Sequence, residues 1–231
     1  MSMELVIARC EEDLAWIRNV APGIRATVYN KGPALDSLPS ISLPNRGREA
    51  HSYLHHIVTR YESLSPVTVF CQGHPFDHCS NFHSVLRELQ AAGFQTLPRF
   101  QWLGFIVDWD DARGERLFKN WSKNASRETL EMETFCRRLL EKSSAGPFVF
   151  FPGAQFVVTR EAVHARPRSF YENALELSGE FPHAAHCFER TWDRVFMADG
   201  IPEKYRNESL PVYLKPIRRH LCRPAFQRDS V

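Results

Sequence analysis

Apolar positions along the chain alternate between short continuous runs and stripes of helical period. Glu4-Leu5-Val6-Ile7-Ala8-Arg9 reads as a buried first strand, followed by a short helical stretch through Leu14, Ile17 and Arg18. Ala21-Pro22-Gly23 breaks that stretch, and residues 24–30, with Ala26 and Val28 alternating against Arg25 and Thr27, predict a second strand. Residues 31–44 hold Gly32, Pro33, Pro39 and Pro44 with little periodicity, a loop long enough to suggest function. Ala50, Tyr53, Leu54, Ile57, Val58 and Tyr61 then fall at i, i+3, i+4, i+7, i+8 and i+11. They predict the clearest helix of the chain, with Asn45 as N-cap and Glu49 in the first turns.

The same two periods continue downstream. Residues 66–71 predict a buried strand that stops at Gln72-Gly73-His74-Pro75, and residues 81–92 a helix closed by Gly93. Residues 103–107 predict a strand running into Asp108-Trp109-Asp110-Asp111. Residues 127–142 predict a helix with Met132, Phe135, Cys136, Leu139 and Leu140 on one face. Residues 148–151 and 155–159 are strand material around Pro152-Gly153, and residues 167–177 and 184–197 fit two further helices. Alternating strands and helices predict an α/β fold: a single three-layer domain over residues 1–214, its sheet mainly parallel with helices on both faces.

Composition narrows the class without naming it. The 231 residues are 43% hydrophobic and 24% charged, ordinary for a globular protein, and no apolar run is long enough to span a bilayer. Met1-Ser2-Met3-Glu4 passes directly into the first strand, so no signal peptide and a cytoplasmic location are expected. Six scattered cysteines without a C-x-x-C pair are then expected to be reduced thiols. A net charge of +2 is too balanced to announce nucleic-acid binding. The exception is residues 215–231, a basic tail with Lys215, Arg218, Arg219, His220, Arg223 and Arg228 against the single acid Asp229.

In open α/β sheets ligands bind outside the carboxyl ends of the strands. Applied here, that rule selects residues 9–13, 30–32, 72–78, 108–111 and 159–161. Asn45-Arg46-Gly47-Arg48-Glu49, at a helix start, offers backbone N–H groups, a helix dipole and two guanidinium forks to an anion. There is no Walker lysine and no G-x-G-x-x-G, which disfavours a P-loop or a dinucleotide site. Gln72-Gly73-His74-Pro75-Phe76-Asp77-His78-Cys79 offers a general base or ligands for a metal. Asp108-Trp109-Asp110 has the spacing that holds a divalent ion between two carboxylates and a diphosphate, so Asp77, Asp108 and Asp110 are the candidate metal ligands. His51 and His55 stand one turn apart without the glutamate of a zinc-protease helix, and read as packed or surface histidines. Glu189 and Asp193, like Arg190 and Arg194, are spaced i,i+4 on the last helix, and Gln155, Arg160 and Trp192 form a candidate acceptor wall.

Taken together, these residues resemble domain-of-unknown-function family 3431 (DUF3431). The resemblance runs in order through Glu4–Arg9, Glu12-Asp13-Leu14-Ala15-Trp16, Tyr29-Asn30-Lys31-Gly32 and residues 45–54, 67–78, 153–166 and 188–196. The family looks like a branch of the A-type glycosyltransferases. Its helix start, here Asn45-Arg46-Gly47-Arg48-Glu49, is also similar to that of rhamnan-synthesis glycosyltransferases. The resemblance implies a nucleotide-diphosphosugar transferase fold with a nucleotide-linked donor over the first strands, contacted by Arg9, Asn30, Lys31, Asn45, Arg46, Gly47, Arg48, Glu49 and Gln72. It also implies Mn2+ or Mg2+ on an Asp-x-Asp after the strand that follows this helix, where this chain has Gln72-Gly73-His74 instead.

The function expected on this basis is group transfer from that donor to a small-molecule or peptide acceptor. Asp77 or His74 would assist a cation or the leaving group, and Glu189 or Asp111 would act as base. The alternatives are an amide-forming transferase of cyclodipeptide-synthase type, using aminoacyl-tRNA held by the basic tail, and a non-catalytic nucleotide or glycan binder.

Overall fold

All seven residues of β1 (Met3–Arg9) are buried, because a strand flanks each edge and a core packs on each face. The computed structural model describes residues 3–93, 96–206 and 211–214, so the basic tail lies outside the described residues. β2 (Ile24–Asn30) runs parallel to β1 in the register Arg9↔Asn30, and β3 (Ile41–Ser42), inside the long loop, runs parallel to β2. β4 (Val67–Gln72) lies parallel along the other edge of β1, with Ala8 opposite Gln72. These registers bring Arg9, Asn30 and Gln72 to the same end of the sheet.

β5 (Phe100–Trp102) and β8 (Phe156–Thr159) complete a six-stranded sheet of order β3-β2-β1-β4-β8-β5. The ladders of β8 with β4 and with β5 are antiparallel. The sheet is therefore mostly parallel, as expected, with one reversed strand. That reversal has a consequence for the strand-end rule. Thr159 pairs with Val67, at the amino end of β4, whereas Phe156 pairs with Phe70 near its carboxyl end. Gly153-Ala154-Gln155, before β8, therefore lies at the ligand end of the sheet, and residues 159–161 lie at the other.

The two faces of each strand divide between two cores, as a period of two requires. Leu5, Ile7, Val67, Val69 and Cys71 pack with Phe82, Leu86 and Leu89 of α2 (Phe82–Ala92). Val6, Ala8, Phe70, Phe156 and Val158 face the larger core, with α1 (Arg48–Arg60) and α5 (Arg168–Glu180). A small antiparallel sheet, β7 (Phe148–Phe150), β6 (Ile106–Asp110) and β9 (Val212–Tyr213), sends Val107, Phe148 and Phe150 into that larger core.

Three elements differ from expectation. Leu103 extends the β5 ladder through its N–H to Gln155 O at 2.8 Å, and the next strand starts only at Ile106, so Asp108-Trp109-Asp110 lies inside β6 and not after it. The helix expected over residues 127–142 is the shorter α3 (Met132–Leu140). The helix expected over residues 184–197 breaks into α6 (Ala184–Glu189) and α7 (Trp192–Val195), because Thr191, with φ −138°, leaves the helical path. Between β8 and α5 the short α4 (Arg160–His164) is capped by Thr159, whose Oγ1 accepts from Ala162 N–H at 3.2 Å.

α1 starts at Arg48, with Gly47 and not Asn45 at its N-cap. Gly47 has φ +61°, and a Cβ there would lie 2.4 Å from Ser178 O of α5. Glycine thus meets two demands at once, a left-handed backbone and close contact with a second helix. Gly47→Ala is expected to destabilise the protein by about 2 kcal/mol in urea denaturation. A change below about 0.5 kcal/mol would mean that the junction has room for a side chain.

Candidate functional site

A cavity of about 230 Å3 opens at the carboxyl ends of β1, β2 and β4. Ala8, Arg9, Cys10 and Glu12 line it from the end of β1, Lys31 from β2, Gln72 from β4, and Asn45, Arg48 and Glu49 from the start of α1. The helix turns its unpaired first N–H groups and the positive end of its dipole this way. Lys31 Nζ donates to Arg46 O at 2.5 Å and to Arg48 O, which fixes the ammonium beside the first turn of α1 with one N–H left. Burial lowers the Lys31 pKa to about 8; Glu49 and Cys10 oppose the shift and Arg46 adds to it. Burial pushes the Glu49 pKa up, and Glu189 adds to that against the pull of Arg48.

The predicted donor-binding residues do not all serve the cavity in the same way. Lys31, Asn45, Arg48, Glu49 and Gln72 line the cavity, together with Arg9 and with Glu12 from the strand-end segment 9–13. Arg9 and Asn30 are committed to each other. Arg9 Nη1 donates to Asn30 Oδ1 at 2.7 Å and to Pro33 O at 2.8 Å, while Nε donates to Glu12 O at 3.0 Å. They tie the strand ends together. Arg46 turns away from the cavity: its side chain lies against Gly179 of α5, and Nε donates to His51 Nε2 at 3.2 Å. Gly47 acts through its backbone.

The expected metal ligands do not converge. His74 and Asp77 pair at 3.3 Å, half and three-quarters exposed, on the turn after β4 and outside the cavity lining. Asp108 pairs with Arg116. Asp110, fully buried, accepts from Arg190 Nη2 at 2.7 Å and from the N–H groups of Asp111, Leu117 and Phe118. Asp111, a candidate base, accepts the N–H groups of Arg113 and Arg116 and so closes a turn. Among the described residues no group of three or more His, Cys, Asp or Glu side chains is arranged to hold a metal ion. Cys10, Cys71, Cys136 and Cys187 are free thiols.

Nor do the expected acceptor residues form a wall. Trp192 is wholly buried and stacks on Phe188 at 5.1 Å. Gln155 is wholly buried, with Nε2 donating to Pro75 O at 3.0 Å. Arg160 sits at the opposite end of the sheet, its N–H on Pro66 O at 3.0 Å. Because the last helix is broken, Glu189 and Asp193 do not share one continuous helical face. Glu189 Oε1 accepts from Gly153 N–H at 2.6 Å, and Oε2 lies 3.8 Å from His186 Nδ1 and 3.6 Å from Arg190 Nη1. Burial alone would raise its pKa, but these partners prevail and hold it at about 2. A carboxylate that acidic is a feeble base at neutral pH.

A second cavity, of about 410 Å3, adjoins the first, and Arg48 lines both. Arg48 lies over the Trp121 ring at 5.4 Å, and Phe118, Lys123, Glu128, His183 and His186 line the rest of this space. Trp121 and His186 gave no signal in the sequence, because each gains its place from contacts across the fold.

Strand order and cavity define an α/β protein with a pocket lined by charges of both signs at the carboxyl ends of its parallel strands. The chain belongs to the family described as "Protein of unknown function (DUF3431)", which matches residues 5–209. No curated protein matches the chain. Among solved structures it is similar to HddC from Yersinia pseudotuberculosis at 10% identity over 72% of this chain and 80% of that one, with a TM-score of 0.34. It is also similar to a CMP:2-keto-3-deoxy-manno-octonic acid synthetase complexed with CTP, at 12% identity, 77% and 83% coverage and a TM-score of 0.32. No helix among the described residues is long and apolar enough to cross a membrane.

Proposed function

We propose that this protein is a transferase that holds the diphosphate of a nucleotide-linked donor in the first cavity. The observation that carries the reading is that Lys31, Arg48 and the start of α1 line one space at the ends of three parallel strands, with Arg48 Nε 3.6 Å from Glu49 Oε2. Ammonium, guanidinium fork and backbone N–H groups are the donors that phosphate oxygens take. Their charges would also stabilise a departing diphosphate, which is where negative charge develops in such a transfer. The resemblance to A-type glycosyltransferases makes a sugar the transferred group in this reading.

Lys31 and Arg48 supply the counter-charge that a divalent ion on Asp-x-Asp would otherwise bring. The end of β4 gives the cavity the neutral Gln72, and Asp77, Asp108 and Asp110 lie elsewhere, so the carboxylates that line it are Glu12 and Glu49. The tRNA-dependent alternative rests on the basic tail, outside the described residues.

Thermal unfolding in the presence of nucleoside diphosphates tests the reading. At a hundred times Kd a ligand stabilises by about 2.7 kcal/mol, which for a chain of this size raises Tm by about 5–10 °C. The rise is expected for at least one nucleoside diphosphate and is expected to persist in EDTA. No shift with any of them would remove the reading, and a shift that requires Mn2+ or Mg2+ would overturn its metal-free form.

A further inference from the structure

His186 faces the second cavity from α6 with Nδ1 turned toward Glu189 Oε2 at 3.8 Å, which leaves Nε2 for the open side. Its ring is held in place by Phe118 and Trp121, each 4.8 Å away between centroids. Glu189 is itself fixed by the Gly153 N–H at 2.6 Å. A histidine that lines a cavity with one nitrogen facing a fixed carboxylate is arranged to accept a proton at the other. Around the same space stand Arg48, Lys123 and His183, with Glu128 as the acid among its lining residues. Glu128 is already paired with the His183 ring. The remaining charge favours an anionic occupant.

We infer that the second cavity holds the acceptor, an alcohol or amine that also carries a carboxylate or phosphate group, and that His186 Nε2 takes the proton from its nucleophile. This rests on the transfer reading of the first cavity. In the step, the acceptor's O–H or N–H proton passes to His186 and its oxygen or nitrogen forms the new bond to the transferred group. The bond from that group to the diphosphate oxygen breaks, and its electron pair leaves with the diphosphate, held by Lys31 and Arg48. Arg48, lining both cavities, adjoins donor and acceptor together. Glu189 is a positioning residue.

Two measurements test this on the full chain. In the first, 13C-histidine-labelled protein with a nucleoside diphosphate in the first cavity is titrated with acetate and, separately, with inorganic phosphate. His183→Gln and His186→Gln identify the two signals. Both signals are expected to move saturably with one of the anions, and Lys123→Ala to weaken that response roughly tenfold. The anion that acts tells a carboxylate acceptor from a phosphorylated one, and indifference to both overturns the proposed class. In the second, release of nucleoside diphosphate from nucleotide-sugars is followed with water as acceptor. His186→Ala is expected to lower kcat by about a hundredfold or more with KM unchanged, and added imidazole to restore part of it. Full turnover in His186→Ala, or loss without rescue, overturns the base assignment. Nucleoside diphosphate binding, measured in parallel, separates the two failures: wild type that binds none defeats the transfer reading itself.

Discussion

Arg190→Met is expected to destabilise the protein by about 3–5 kcal/mol, the usual cost of stranding one member of a buried ion pair. Arg190 is 2% exposed and Asp110 fully buried. Nη2 and Nε reach Asp110 Oδ2 at 2.7 and 3.2 Å, and Nη1 donates to His186 O at 2.8 Å. Asp110 would keep its N–H donors from Leu117 and Phe118 but would lose its counter-charge. The effect extends to the second cavity, because Arg190 also flanks Glu189 at 3.6 Å. Urea denaturation of Arg190→Met, Asp110→Asn and the double variant checks the account. The double variant should cost at least about 1 kcal/mol less than the sum of the singles. Simple additivity, or a loss under about 1 kcal/mol for Arg190→Met, would contradict the account.

His51 is expected to cost the protein about 2.5 kcal/mol of stability between pH 7 and pH 4.5. It is 3% exposed and stacked on His55, with Arg46 Nε donating to Nε2. Burial first, and then the charges of Lys31, Arg46 and His55, lower its pKa from 6.5 to about 4. A histidine whose folded pKa is depressed stabilises the protein above its unfolded value, and that contribution fades as pH falls from 6.5 toward 4. In this window the unfolded chain binds the proton that the folded one refuses. Other groups act in the same window: His56 has the same sign, and Asp193, raised to about 6, has the opposite one. The test is therefore a difference. Stability is measured against pH in wild type and His51→Gln, and the variant should lose about 2.5 kcal/mol less on acidification to pH 4.5. Parallel profiles would mean that His51 protonates as freely folded as unfolded.

Most of the sheet was legible because local pattern and tertiary role agree in it. Leu5 to Ala8 is continuously apolar because β1 is covered on both faces, and the sequence reading of β2 ends at Asn30 as the strand does. The grouping of Lys31, Arg48 and Gln72 follows from strand order and from the helix after β2, both accessible to topology rules. Legibility failed where one residue decides the outcome. Thr191 interrupts an apolar stripe that suits one long helix, and Arg190, legible only by its i,i+4 spacing to Arg194, lies buried against Asp110. The reversed direction of β8 leaves no mark in its sequence, yet it carries Arg160 to the wrong end of the sheet and brings Gly153 to Glu189. Asp108-Trp109-Asp110 has the spacing of a metal site, but within β6 its carboxylates meet Arg116 and Arg190. Trp121 and His186 were not legible at all, since an irregular segment and a short helix meet there only through the folded core.

The most direct test of the diphosphate cavity is calorimetric titration of nucleoside diphosphates into wild type, Lys31→Met, Arg48→Ala and Asp77→Ala. A charge-assisted hydrogen bond is worth about 1.5–3 kcal/mol, so Lys31→Met and Arg48→Ala should each weaken binding roughly 10- to 100-fold, while Asp77→Ala leaves it unchanged. Because Lys31 gives up its proton near pH 8, wild-type affinity should also fall as the pH rises above about 8, a decline absent in Lys31→Arg. Binding that survives loss of both cations, or that disappears with Asp77, would contradict the account.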